Sequence, residues 1–254
     1  MEDITIALPS SASAKDFPNN TNSVYNVRLA RRLELPPGRW QVGLKVAHIP
    51  NRFYNVTIGS VSLWHVRGGT QGTRQVPIGY YSTTKELVDN LNALLSGWTL
   101  DSPVSDSVSF VYDAVSKKTS VLIANDGSIC NVAISEDLQD FLGFDVPKFS
   151  RGPTTGKRTS DPYSKLGYLM VYSNLVKSRI VGDTMAPLLR TIPVEHGFGD
   201  AVHEFRHIEW TEAAGLNTDV IEVNIMTDTG DRAPFVGGKV LLTIQLRECL
   251  NNKT

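Results

Sequence analysis

The chain has 254 residues, room for one large domain or two small ones with a sizeable core. Its formal net charge of −1 excludes a general basic field that would draw it to nucleic acid or an anionic membrane. No apolar run approaches the length of a membrane span, so membrane insertion is not expected.

Thr, Ser, Val, Asn and Gly are abundant, which favours strands joined by turns. Cys130 and Cys249 leave one disulfide open; the blander reading is two buried free thiols in a reducing compartment. The opening MEDITIALPSS has no basic segment followed by an apolar run, so no signal peptide is visible. The sequons at Asn19, Asn55 and Asn252 are therefore read as unmodified.

From the N-terminus, ITIAL predicts a short strand over 4–8, followed by a polar arm over 9–23. SVYNVRLARRLEL predicts a strand with Val24, Leu29, Leu33 and Leu35 inward, and the PPG at 36–38 a turn. RWQVGLKVAHIP alternates, placing Trp40, Val42, Leu44 and Val46 on one face. TIGSVSLWHV is another strand, and GGTQG at 68–72 a turn or flexible loop. The pattern then changes. TTKELVDNLNALLS over 83–96 has Thr83 and Glu86 at capping-box spacing, a Leu87, Leu91 and Leu94 or Leu95 stripe, and Gly97 at its end, so a helix packed on the core is expected. VSFVYDAVSKKTSVLIAND reads as two strands about a loop. ISEDLQDFLGF reads as a second short helix, capped by Ser135, closed near Gly143 and buried along Ile134, Leu138, Phe141 and Leu142.

The polar, basic segment 147–165, rich in Gly and Pro, predicts a mobile loop. Further strands follow in YLMVYSNLV, APLLRTIPV, DVIEVNIMTD and KVLLTIQL; in the last, Val240, Leu242, Ile244 and Leu246 face one way. The fold class expected is all-β: about ten strands with two short helices inserted mid-chain, a sandwich or jelly roll rather than an α/β sheet. The division expected is an N-terminal strand and arm over 1–23 and a single domain over 24–254, with the loop near 147–165.

One stretch carries a catalytic signature. HEFRH, 203–207, has H-E-x-x-H spacing: on a helix His203 and His207 would share a face and hold zinc, and Glu204 would polarise the bound water of a metallopeptidase. Against this, Trp210 and the neighbouring strand patterns favour extended chain, where residues four apart lie about 13 Å from one another. No third ligand is evident either: Glu209 and Glu212 are too close in a simple helix, and Glu222 sits in an apparent strand. The preferred reading is that His203 and His207 are polar strand or loop residues about a partly buried Phe205. GPTTGKRTS lacks the full phosphate-loop frame, and Asp183, Asp200, Asp219 and Asp228 read as turn or solvated residues. Arg151, Lys157 and Arg158 read as a solvated basic loop or a subunit contact. No catalytic, cofactor-binding or metal-binding residue is assigned, and no cofactor is expected.

Several blocks occur in a familiar order. They are the leading strand ending at Leu8-Pro9, an asparagine-rich turn before Val24, Gly38-Arg39-Trp40-Gln41-Val42-Gly43-Leu44, and Phe53-Tyr54. IGYYSTTKELVDNLN (78–92), LQDFLGF (138–144), YSNLVKSRIVGDTMAPLLRTIPV (172–194) and NTDVIEVNIMTDTGDRAPFVGGKVLLTIQLR (217–247) continue the series. Taken together, nearly the whole chain resembles the minor capsid, or penton, proteins of Polinton (Maverick) elements and adintovirus-like viruses. The resemblance implies a single jelly roll that assembles as a homopentamer at the vertices of an icosahedral virion. It also implies a double-jelly-roll major capsid protein as partner, with assembly in the host nucleus or cytoplasm. The arm over 9–23 is then a candidate for reaching a neighbour or the capsid interior, and the loop over 147–165 for a contact or an outward tip. Domesticated copies of such proteins occur, and a sandwich serves many binding roles, so a receptor- or glycan-binding role is the alternative beside the zinc peptidase.

Overall fold

The computed structural model describes residues 3–35, 39–65, 71–97, 107–125, 129–164, 166–194, 197–215 and 217–249. In chain order the first strands are β1 (Ile4–Pro9), β2 (Val24–Glu34) and β3 (Arg39–Asn51). A central run follows: β4 (Gly59–His65), β5 (Gln71–Val76), helix α1 (Thr84–Ser96), β6 (Val108–Asp113), β7 (Lys118–Ile123), β8 (Ile129–Ile134), helix α2 (Glu136–Leu142), β9 (Lys148–Ser150) and β10 (Gly152–Thr155). The last run is β11 (Tyr168–Ser173), β12 (Arg179–Val181), β13 (Thr184–Ala186), β14 (Leu188–Pro193), β15 (Gly199–Glu204), β16 (Thr211–Glu212), β17 (Asn217–Thr227) and β18 (Leu241–Cys249). Among the described residues the architecture is predominantly β with two helices, jelly-roll-like in kind.

The chain divides into two compact units, Met1–Phe53 with Leu166–Thr254, and Tyr54–Lys165. The cores follow the same division: the apolar side chains of the central run close on one another, and those of the two flanking runs do the same. The second unit is thus inserted in the first between β3 and β11.

The first unit holds two main antiparallel sheets. One runs β1-β18-β3-β15, with β16 also on β3; the other runs β14-β11-β17-β2. Period-two alternation gives each sheet one apolar face, and both faces feed a single core. The first contributes Leu8, Leu44, Leu242 and Ile244, the second Tyr25, Val171, Val223 and Ile225. The Tyr25 hydroxyl joins the layers, donating to the Leu8 carbonyl at 3.2 Å. Val240, just before β18, and Leu242, Ile244 and Leu246 within it form an inward row that is fully buried, as the pattern predicts.

Two strands depart from simple alternation. In β3, Leu44 pairs with Ile244 but Val46 with Thr243, so Lys45 is an extra residue. This bulge reverses the phase of the strand. Val46 therefore leaves the core, and Ala47 and Ile49 enter it. In β2, Arg28 opposes Val220 while Leu33 opposes Thr218, leaving residues 29–32 as a broad excursion against Asp219 alone. The deeply buried residues of β2 are Tyr25 and Val27; Val24, expected inward, is only half-buried.

The arm expected over 9–23 folds back on the unit. Ser10 N–H donates to the Val240 carbonyl at 2.8 Å, Arg28 N–H donates to the Ser13 hydroxyl at 2.9 Å, and the Asn20 side-chain amide bridges to the backbone of Asn26. Local turn bonds would leave such a segment free; these long-range ones tie it down.

In the second unit the sheets run β5-β4-β8-β9 and β10-β7-β6. Helix α1 buries Leu87, Val88, Leu91 and Leu95 in this unit's own core, and α2 buries Leu138, Phe141 and Leu142 there. Gly143 ends α2 in the left-handed region, with φ of 78°. The expected loop over 147–165 contains β9 and β10, and its backbone continues to be held. Gly156 N–H donates to the Thr119 carbonyl at 2.9 Å, Ser160 N–H to that of Lys117 at 2.7 Å and Asp161 N–H to that of Phe141 at 2.8 Å. Pro153 is accommodated because β10 is an edge strand.

Candidate functional site

HEFRH forms no helix. His203 and Glu204 end strand β15, where His203 pairs with Ala47 and Glu204 with Val46, while His207 lies beyond the strand. The one-face geometry that H-E-x-x-H requires is therefore missing, and the stretch is not a zinc peptidase centre. Among the described residues no group of three or more His, Cys, Asp or Glu side chains converges that could hold a metal ion. The Cys249 thiol is free. No helix among the described residues is long and apolar enough to cross a membrane.

The stretch has a structural job instead. Phe205 N–H donates to the Lys45 carbonyl at 3.0 Å, carrying the β15–β3 pairing one residue past Glu204. Its half-buried ring lies under the Arg190 guanidinium, 4.2 Å from the ring centroid. Glu209 then joins Arg190 at 3.6 Å to Arg179 at 3.0 Å. Further along, Trp210 stacks beneath Arg247 at 4.0 Å, and Lys177 meets Glu212 at 2.6 Å. Hydrogen bonding and charge from Lys177 hold the exposed Glu212 carboxyl below its usual range.

These contacts anchor the base of the hairpin β12–β13. Among the described residues its strands pair only with each other, Arg179 with Ala186, Ile180 with Met185 and Val181 with Thr184. Two residues, Gly182 and Asp183, make the turn. Gly182 has φ of 61° and Asp183 is not in the positive region, the arrangement of a type II′ turn whose twist matches the ribbon. Ile180 is 79% exposed and Met185 61% exposed, so the cross-strand pair is an apolar surface on a projecting ribbon. Asp183 at the tip is exposed and makes no ion pair among the described residues. Sequence reading passed over this hairpin; Gly-Asp between RIV and TMA is the signal that marks it.

A groove of about 470 Å³ lies elsewhere on the same unit, between β1 and the excursion of β2. Ile4, Ile6, Leu29 and Leu33 give it a half-buried apolar lining, and the exposed Arg31 and Arg32 stand along it. Neither arginine has an ion pair among the described residues; Glu34 also lines the groove, which keeps a net positive charge. Among the described residues both bounding strands are sheet edges, β1 bonded only to β18 and β2 only to β17.

Arg158 reaches Asp145 at 3.1 Å and Asp140 at 3.3 Å, and Lys157 lies 3.6 Å from Asp145, so these cations of the 147–165 segment are matched locally.

No protein-family model matches the chain, and no curated protein does so by sequence. Solved structures do match. Over 98% of this chain and 100% of the other, the fold is similar to that of the mavirus penton protein, with a TM-score of 0.50 and 11% identity. A chain from the Sputnik virophage structure is similar over 98% of each, with a TM-score of 0.50 and 12% identity. At such identities the likeness is one of fold: a viral capsid-like, jelly-roll architecture related to that of a virophage penton protein.

Proposed function

We propose that this chain is a non-enzymatic capsid protein that forms the pentameric vertex of an icosahedral virion. The observation that carries the reading is a fold similar across nearly the whole chain to the mavirus penton protein. The ordered sequence blocks support a source among Polinton (Maverick) elements or adintovirus-like viruses. The physical task is assembly. A five-fold ring needs a heterologous contact, in which one flank of a subunit meets a different flank of the next and the rotation closes. The remaining shell is a separate double-jelly-roll major capsid protein, and the site of action is the virion, assembled in the host nucleus or cytoplasm.

Co-expression with the major capsid protein, followed by imaging of the particles, tests this. The expected result is density for this chain at the five-fold positions. Particles whose vertices are built wholly of another protein would overturn it and favour a domesticated, receptor-binding or glycan-binding role.

A further inference from the structure

The hairpin and the groove stand on opposite flanks of the first unit. In the four-stranded sheet β14 and β2 are the two edges, separated by three inter-strand spacings, about 14 Å. The β12–β13 hairpin leads directly into β14 and is tied through Arg179 and Glu209 to the segment between β15 and β16. Those strands lie together along the edge of β3 away from β18, so β14, β15 and β16 share the hairpin's flank. The groove is bounded by β1 and β2, the opposite edges of the same two sheets.

The two features are also complementary. The hairpin offers an exposed apolar pair, Ile180 and Met185, with a carboxylate at its tip. The groove offers a half-buried apolar floor with Arg31 and Arg32 beside it. Among the described residues the hairpin strands pair only with each other and β1 and β2 end their sheets, with the arm covering β2 at Asn26 and Arg28; strand edges are surfaces that proteins ordinarily cover or pair.

Resting on the pentamer reading above, we propose that the β12–β13 hairpin of one copy docks in the β1–β2 groove of the next copy. Ile180 and Met185 enter against Ile4, Ile6, Leu29 and Leu33, and Asp183 meets Arg31 and Arg32. Because donor and acceptor lie on opposite flanks, the contact is head-to-tail, as ring closure requires. Each copy uses both halves once, so a defect in either half is repeated at every interface of the ring.

The test is native mass spectrometry and sedimentation of the full chain across a concentration series, alone and with the major capsid protein. Ile180→Ser, Asp183→Arg and the double change Arg31→Asp with Arg32→Asp should each raise the concentration for half-assembly by about tenfold or more. Combining Asp183→Arg with Arg31→Asp and Arg32→Asp should restore assembly to within about threefold of the unaltered chain, because the charge pair is reversed rather than removed. All four positions are exposed, so melting temperatures should stay the same and separate lost docking from lost folding. Rings that form equally well with Ile180→Ser and with Asp183→Arg would overturn this docking and leave the vertex reading standing. A chain that forms no ring at any concentration, even with the major capsid protein, would overturn the vertex reading and the docking with it.

Discussion

Tyr25 shows how one side chain binds the sheets of the first unit together. Its ring is almost wholly buried and its hydroxyl is bonded to the Leu8 carbonyl. Burial pushes the phenol well above its ordinary value of 10.0, because an ionised phenolate would have to stay in the core. The folded state therefore holds the proton more tightly than the unfolded chain. The resulting stability is intact below about pH 10 and falls as pH rises further, at up to about 1.4 kcal/mol per pH unit. Tyr25→Phe should cost about 1 kcal/mol at neutral pH from the lost hydrogen bond. It should also reduce the alkaline loss of stability, which urea titrations at pH 8 and pH 11 would detect; equal losses in both proteins would contradict the assignment. Gly43 is constrained by space instead. A Cβ there would overlap the Cγ2 methyl of Ile208 and sit 3.1 Å from the Glu209 carbonyl oxygen. Gly43→Ala should cost about 1–3 kcal/mol by overpacking, with much of it recovered on adding Ile208→Ala; thermal melts of the three variants would show whether that contact is the cause.

At the scale of the element, α1 illustrates a signal that is complete within its own sequence. The Thr83 hydroxyl accepts the Glu86 N–H at 3.1 Å, as the capping spacing predicts. The Glu86 carboxylate reaches back one residue further than a standard capping box, to the N–H and hydroxyl of Ser82, both at 2.8 Å. Thr83→Ala should therefore destabilise the protein by about 1 kcal/mol, while Thr83→Ser should be near neutral, as read from denaturation midpoints. HEFRH is the opposite case. Its five letters fit a helix or a strand, and the deciding partner is β3, more than 150 residues away in the chain, through the Ala201–Ile49 and His203–Ala47 pairs. Bulges are similarly hidden: nothing in RWQVGLKVAHIP marks Lys45 as the extra residue, so the inward row was legible to Leu44 and lost after it. The candidate surface was even less legible. The Gly182–Asp183 turn is a local signal, but the groove depends on two strands distant in sequence meeting at one flank.

At the scale of the whole molecule, alternation identifies strands and their inward faces but cannot say which core a strand joins. That is why strands 59–65 and 168–173 look alike in sequence yet belong to different units. The second unit's buried cluster, from Val56 through Leu91 and Val121 to Phe149, draws every member from within Tyr54–Lys165. Its segment 147–165 is also closed internally, by the bonds of Gly156, Ser160 and Asp161 to Thr119, Lys117 and Phe141. A segment of about 110 residues with its own core lies within the size range of independently stable domains. The excised segment 54–165 should therefore fold alone, giving a cooperative thermal transition and dispersed amide resonances. Leu91→Ala, which opens a cavity at a fully buried position of α1, should lower its stability by about 2–5 kcal/mol. Collapse of the excised segment to a non-cooperative state that binds a hydrophobic dye would show that this core needs the first unit to form. An autonomous insert has a consequence for assembly: changes within Tyr54–Lys165 can alter that unit's own surface while the β1–β2 groove and the β12–β13 hairpin, both carried by the first unit, keep their geometry.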